Sequence, residues 1–150
     1  FFFAFICSML KFIHSYFAFL VIAILALSTL RFLIRYLLSK DYTPIDFRLA
    51  LITLITSHTQ LLIGLFLYFI SDKFSLWSEL SMNEIMTSSI NRLYLIEHPI
   101  INIIAIILIT RGYSLHKKKR VSNSKFKTIG FHYLLGLVLL LSRIPWSNWI

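Results

Sequence analysis

The chain has 150 residues, of which 58% are hydrophobic and 14% are charged, and its formal net charge is +9. Soluble domains carry about 25% charged residues, and a core of this length cannot hide so much apolar surface from water, so the composition excludes an ordinary soluble domain. The 16% aromatic content excludes a disordered tail, and the single cysteine excludes an internal disulfide or a thiolate metal cluster. The solvent that remains is a lipid bilayer.

The first residues are three phenylalanines, without an initiator methionine or a basic segment. We therefore expect a fragment or a trimmed start rather than a cleavable signal peptide, because the apolar run continues far beyond the length of one.

Four stretches are predicted to be membrane-spanning helices, at about 12–36, 48–71, 90–111 and 128–146. Crossing the hydrocarbon takes about 20 apolar residues, and these stretches are too long for strands. The sequence therefore predicts an all-α, integral membrane four-helix bundle that forms one domain over 1–150.

The three connections differ in charge and in predicted structure. Pro44 lies in a predicted turn at 41–46, residues 75–89 are expected to form a short interfacial helix around Trp77, and residues 111–127 are expected to be a solvated loop. Lysine and arginine fill the first and third connections, whereas the second carries three acidic residues and one lysine. The positive-inside rule then predicts an N-out/C-out protein of a bacterial inner membrane. The basic loops would face anionic lipid headgroups, and we expect no nucleic-acid partner.

Each predicted span contains one histidine, namely His14, His58, His98 or His132, and the fifth, His116, falls in the predicted basic loop. On a helical wheel His14, His98 and His132 face neighbouring helices. The second span differs, because His58 lies about 125° from the centre of a polar stripe. That stripe consists of Thr53, Ser57, Gln60, Gly64, Tyr68 and Ser71. The helix therefore either touches partners on two sides, or His58 meets a cofactor or another subunit.

The tripeptide Glu97-His98-Pro99 is predicted to break the third span inside the membrane. Pro99 has no N–H group, so it frees the carbonyl of Leu95 and kinks the helix. Glu97 is either neutral through desolvation or ionised against Arg92, five residues earlier. Both a structural ion pair and a functional carboxyl agree with this pattern.

Paired histidines in a bundle also suggest haem, which needs two imidazoles at similar depth on facing helices. The predicted depths are roughly 3 Å for His14, roughly 12 Å for His98 and roughly 18–20 Å for His58 and His132. His58 with His132 is the best-matched pair by depth, and His58 with His98 is workable if the third helix begins earlier.

Several segments together resemble a family of short bacterial four-helix membrane proteins that carry a cytochrome b-type label. They are His14-Ser15, residues 57–71 with the pattern His-x-Gln-Leu-Leu-x-Gly-x-x-x-Tyr-Phe, Arg92, Glu97-His98-Pro99 and Ile144-Pro145-Trp146. The likeness covers nearly the whole chain, and His132 lies outside its pattern. It implies haem b with His58 and His98 as iron ligands and His14 in reserve, supported by Glu97, Arg92 and Gln60.

Two functions of different classes follow. The first is a b-type cytochrome-like protein that transfers electrons to a quinone or another redox partner, and the second is a haem-free accessory subunit of a larger respiratory or transport complex. A proton-coupled carrier that uses Glu97 and His98 is a third hypothesis, although the sequence has no pair of interrupted helices. The sequence has no glycine-rich phosphate-binding loop and no serine or cysteine nucleophile with a plausible base. We therefore do not expect the protein to be an enzyme.

Overall fold

The structure is a computed structural model that describes residues 2–148, with side chains described from 5 to 147. Phe1, where a trimmed start is expected, lies outside the described residues. The described part of the chain forms helices and no strands. The elements are α1 (Phe2–Leu37), α2 (Pro44–Ile70), α3 (Asp72–Glu79), α4 (Met82–Thr87), α5 (Ser89–Arg92), a π-helical turn (Leu93–Glu97), α6 (His98–Lys117), α7 (Ser122–Ser142) and a 3-10 turn (Trp146–Asn148).

Within residues 2–148, four helices are long and apolar enough to cross a membrane: Phe5–Leu37, Pro44–Ile70, Ser89–Lys117 and Ser122–Ser142. This confirms the all-helical architecture with four long apolar helices. The solvated loop predicted at 111–127 is wrong, because α6 continues to Lys117 and α7 begins at Ser122. Ile109, Gly112, Tyr113 and His116 explain the longer helix, since they recur at helical spacing and are all buried.

The four long helices form a ring in which α1 and α6 each lie between α2 and α7. Helices that follow each other in the chain are antiparallel, so the connections alternate between the two ends of the bundle. We call the end that carries the connections 38–43 and 118–121 the basic end, and the end that carries 71–88 the terminal end. The interfacial helix predicted near Trp77 is present as two short helices, α3 and α4.

The core is most tightly packed in the half of the bundle near the basic end, where Leu25, Phe32, Ile109 and Tyr133 are fully buried. Several polar groups in this half have partners on other helices. Tyr133 Oη donates to the carbonyl of Ala50 at 2.8 Å. The hydroxyls of Ser28 and Thr53 lie 2.7 Å apart and join α1 to α2.

The outer surface of the bundle is apolar along its length. Exposed large hydrophobic side chains occur on every long helix, including Leu27, Leu62, Ile107 and Leu135. An apolar surface of this extent is unfavourable in water and favourable in lipid.

Small residues set the distance between α6 and α7. A Cβ atom built on Gly112 would lie 2.5 Å from His132 Cβ, and one on Gly136 would lie 2.8 Å from Ile109 Cγ1. The two helix backbones therefore approach closely at these positions, as small residues permit in membrane bundles. This confirms the sequence-based expectation that His132 and Gly136 share the face that meets a neighbouring helix.

A buried carboxylate ties α1 to α2 at the basic end. Asp46 has no exposed surface, and its Oδ1 accepts from Arg31 Nε at 2.8 Å. Its Oδ2 accepts from the backbone N–H and the hydroxyl of Thr43, which caps α2, and lies 3.4 Å from Arg35 Nε. Both carboxylate oxygens thus accept hydrogen bonds, and a neutral side chain could not accept all of them.

Tyr42 joins the same end to α6. Its hydroxyl lies 3.0 Å from His116 Nε2, and His116 Nδ1 donates to the carbonyl of Tyr113. His116 is buried, so the sequence-based expectation of a solvated histidine is wrong. Burial and the nearby Asp46 carboxylate hold the pKa of the Tyr42 phenol above its usual range. The phenol therefore stays neutral and donates to Nε2.

We expect Gly112→Ala to destabilise the bundle by about 1–3 kcal/mol, because the new methyl meets a Cβ that is fixed to the backbone of α7. Gly130→Ala is the matched control, since its Cβ would lie 3.0 Å from Leu33 Cδ2, the end of a flexible side chain. The measurement is the free energy of unfolding in detergent micelles. An equal loss in both variants would contradict this assignment.

Asp46→Asn should cost about 2–4 kcal/mol of unfolding free energy, because the amide offers one acceptor oxygen and turns N–H groups towards the donors of Thr43 or Arg31. Asp41→Asn is the control, since Asp41 is exposed and its described bond to Arg35 uses the backbone carbonyl. Thermal unfolding in detergent tests both variants, and a loss in Asp41→Asn as large as that in Asp46→Asn would oppose the result.

Candidate functional site

The third long helix is continuous from Ser89 to Lys117, and in place of the predicted break it contains the π-helical turn Leu93–Glu97, which ends two residues before Pro99. The carbonyl of Leu95 accepts from Tyr68 Oη at 3.1 Å. Tyr68 Oη in turn accepts from Trp77 Nε1 at 2.8 Å. This confirms that Leu95 loses its helical partner, and it shows that α2 and α3 supply the replacement.

A cavity of about 800 Å³ lies inside the bundle on the terminal side of its core. Every long helix contributes to its wall, as do Lys73 and the segment after α7. Most of the wall is apolar, and a few polar groups converge on it: His14, Gln60, Tyr94, His98 and Asn102. Cofactor sites are typically concave, mostly apolar and about 300–1,000 Å³ in volume.

His14 and His98 face each other across the bundle at this cavity. Their ring centroids are 6.3 Å apart, and the ring planes are inclined at 77°. Among the residues that the structure describes, neither ring has a hydrogen-bond partner at Nε2. The structure therefore brings together the reserve residue of the sequence-based site and one of its two preferred residues.

The imidazole of His98 is held by the end of α7. Its Nδ1 lies 2.7 Å from the carbonyl oxygen of Arg143. A carbonyl can only accept, so Nδ1 carries the proton and Nε2 keeps a lone pair. Histidines that bind metals are commonly oriented in this way by a backbone carbonyl.

The predicted ion pair between Glu97 and Arg92 is present beside the site. Arg92 Nε donates to Glu97 Oε1 at 2.8 Å, and Arg143 Nε lies 3.4 Å from Glu97 Oε2. Glu97 therefore links the kink to the end of α7, whose Arg143 carbonyl orients His98. Of the two states that the sequence left open, the geometry agrees with the ionised carboxylate.

His14 is held by α2. Gln60 Nε2 lies 3.1 Å from His14 Nδ1 and 2.9 Å from the carbonyl of His14. A Cβ atom on Gly64, one turn further along α2, would lie 2.9 Å from His14 Cε1, so the absence of a side chain there makes room for the ring. Gln60 and Gly64 belong to the predicted polar stripe, which faces the interior as expected.

His58 lies elsewhere, and this corrects the pairing of His58 with His98. Its Nδ1 donates to the carbonyl of Leu54, and its Nε2 lies 3.3 Å from Thr110 Oγ1. Thr110 follows His98 by 12 residues on the same helix, a rise of about 18 Å, so one iron cannot bind both rings. The two polar faces of α2 therefore meet α1 and α6 within the chain.

His132 does not complete a second pair. Its Nδ1 donates to the carbonyl of Thr128, and its Cβ lies against Gly112 on the α7 side of α6. His58 contacts the opposite, α2-facing side of α6 through Thr110. The pairing of His58 with His132, which rested on their equal predicted depth, is therefore wrong, because the two rings lie on opposite sides of α6.

Sequence reasoning missed two cations at the cavity and one role of a third. Lys11 and Lys73 line the cavity, and the Lys73 ammonium lies 5.6 Å from the centre of the Tyr94 ring. The sequence does show Lys11 one turn before His14 on the same helix, which was the available signal. The role of Arg143 lies in its backbone carbonyl, which gives no sequence signal.

Comparisons with protein-family models, with curated proteins and with solved structures found no match for this chain. The likeness to cytochrome b-type membrane proteins therefore stays a prediction.

Proposed function

We propose that the chain is a multi-pass membrane protein that binds haem b between His14 and His98 and transfers electrons through it. The observation that carries this proposal is the pair of imidazoles whose centroids are 6.3 Å apart at a cavity of about 800 Å³. The resemblance implied haem, and the geometry replaces His58 with His14 as the partner of His98.

The spacing of the rings suits one iron between them. An imidazole nitrogen binds a transition metal at about 2.0–2.1 Å, and a ring centroid lies roughly 1 Å behind the nitrogen, so two ligating rings have centroids about 6 Å apart. No group of three or more metal-binding side chains occurs among the described residues. A two-histidine site suits a metal that brings its own further ligands, as haem iron does with its porphyrin.

The wall of the cavity suits the rest of the haem molecule. The apolar side chains contributed by all four long helices would cover a porphyrin ring. Haem b also carries two propionates, which need cations. Lys11 and Lys73 line the same cavity and would hold them by charge-assisted hydrogen bonds.

When bound, haem supplies one-electron transfer. The chain's own residues orient and tune the site. The Arg143 carbonyl fixes the ring of His98, and Glu97 offsets part of the charge of Arg92 and Arg143 beside it. A hydrogen bond to the outer nitrogen of an imidazole that holds the iron, and the net charge nearby, would be two means of setting the haem potential.

The proposal includes an N-out/C-out placement in a bacterial inner membrane. Its support is the clustering of basic residues at one end of the bundle, where Arg31, Arg35, Lys40 and the run 117–120 lie near the connections. In this placement the basic end meets anionic lipids of the cytoplasmic leaflet, and the cavity lies towards the outer leaflet. A quinone or a redox subunit would exchange electrons with the haem from the membrane.

The test is an absorption spectrum of the protein purified in detergent, first oxidised and then reduced with dithionite. We expect a Soret band that shifts on reduction in the wild type, and about tenfold less haem per protein in His14→Ala and His98→Ala, because each variant loses one of the two imidazoles that would hold the iron. His132→Ala is the matched control, since His132 is a half-buried histidine of a long helix outside the cavity wall. It should keep its haem.

A colourless wild type that is folded would overturn the proposal, and co-purification with a larger complex would then favour the accessory subunit. Loss of haem in His58→Ala with retention in His14→Ala would instead return the ligand pair to the one that the resemblance implied.

A further inference from the structure

We propose that Gln60 is a positioning residue that decides which ring nitrogen of His14 carries the proton, and that it thereby opposes metal binding through His14 Nε2. The tautomer itself is a property of the chain without cofactor. Its link to metal binding rests on the proposed function.

The contacts of Gln60 fix the orientation of its amide. One amide position lies 2.9 Å from the His14 carbonyl and 3.1 Å from His14 Nδ1. A backbone carbonyl has no proton to give, so the group that approaches it must be a donor. The NH2 end of Gln60 therefore occupies this position and donates to both atoms.

That orientation sets the tautomer of His14. Because Nδ1 accepts from Gln60, the proton of the neutral ring lies on Nε2. His98 has the opposite tautomer, since its Nδ1 donates to the Arg143 carbonyl and its Nε2 has a lone pair. The two rings therefore present different groups at Nε2, an N–H on His14 and a lone pair on His98.

A metal between the rings needs a lone pair on both Nε2 atoms. His98 already provides one, whereas His14 must move its proton to Nδ1, which then requires an acceptor. Gln60 presents its NH2 group to Nδ1 instead, so it favours the tautomer that cannot bind a metal through Nε2.

The other end of the amide shows why it does not turn. Gln60 Oε1 is buried and has no hydrogen-bond partner. A turned amide would bring the oxygen to the position that lies 2.9 Å from the His14 carbonyl oxygen, where two acceptors repel, and would leave the NH2 group in the position that has no partner. The observed orientation is therefore the favoured one, and an acceptor for a proton on Nδ1 requires a different side chain at position 60.

The first test uses the haem-free protein. In ¹⁵N-histidine NMR, with His14 assigned by its loss in His14→Ala, we expect an unprotonated Nδ1 and a protonated Nε2 in the wild type. Gln60→Glu replaces the donor with a carboxyl acceptor, so Nδ1 should gain a proton. Asn102→Asp is the matched control, an amide-to-acid change on the same cavity wall, and it should leave the His14 tautomer unchanged.

An Nδ1 that is already protonated in the wild type, or that stays unprotonated in Gln60→Glu, overturns the assignment. Unchanged signals of His98, which α7 holds independently of Gln60, show that the variant is folded.

The second test measures haem binding by titration into the same three proteins. Supporting partners of this kind change metal affinity by about 10–100-fold, so Gln60→Glu should bind haem at least about tenfold more tightly than the wild type, and Asn102→Asp should not. Equal haem affinity in Gln60→Glu and in the wild type would contradict the link between the His14 tautomer and metal binding. No haem binding in any of the proteins defeats the proposed function alone, because the NMR result decides the tautomer without haem.

Discussion

A polar group inside an apolar bundle needs a partner inside the same bundle, because apolar surroundings offer none. This constraint organises the described part of the chain. Near the basic end it joins Asp46 to two arginines and to the cap of α2, and it buries His116 against Tyr42. In the half near the terminal end it places Tyr68 on the carbonyl that Pro99 frees. Each of these contacts joins two elements, so satisfying the polar groups also fixes the packing.

The general architecture could be predicted because it depends on hydrophobicity alone. Long apolar stretches and the clustering of basic residues indicate four helices and distinguish the two ends of the bundle. The helical wheel also predicted correctly that Ser57, Gln60 and Gly64 face the interior, and that His58 lies on another face of α2. A feature that depends on one short segment could also be predicted, because the lack of an N–H group at Pro99 is enough to predict a free carbonyl at Leu95.

The pairing of histidines could not be predicted, for a physical reason. The predicted depth of each histidine depends on where its hydrophobic stretch ends, but the helices do not end where the hydrophobic stretches do. The third long helix continues through Gly112, Tyr113 and His116, whose buried face keeps the helical period although the segment is no longer uniformly apolar. The first long helix likewise begins well before the predicted span, so His14 lies further from the start of its helix than the count implied. Errors of a few residues at each end move a histidine by more than the width of a ring.

Two prolines explain why the site has its form. Pro99 frees the carbonyl of Leu95, which then orients Tyr68. Pro145 acts in a comparable way on a different helix, since a proline cannot continue α7, which ends at Ser142. The last carbonyls of a helix have no partner within it, and that of Arg143 is therefore available to His98. The tautomer of His98 thus depends on where α7 stops, 45 residues later in the chain. Helix ends and kinks are usually regarded as places where structure is lost, but inside an apolar bundle they are the sources of acceptors to which a functional side chain can be fixed.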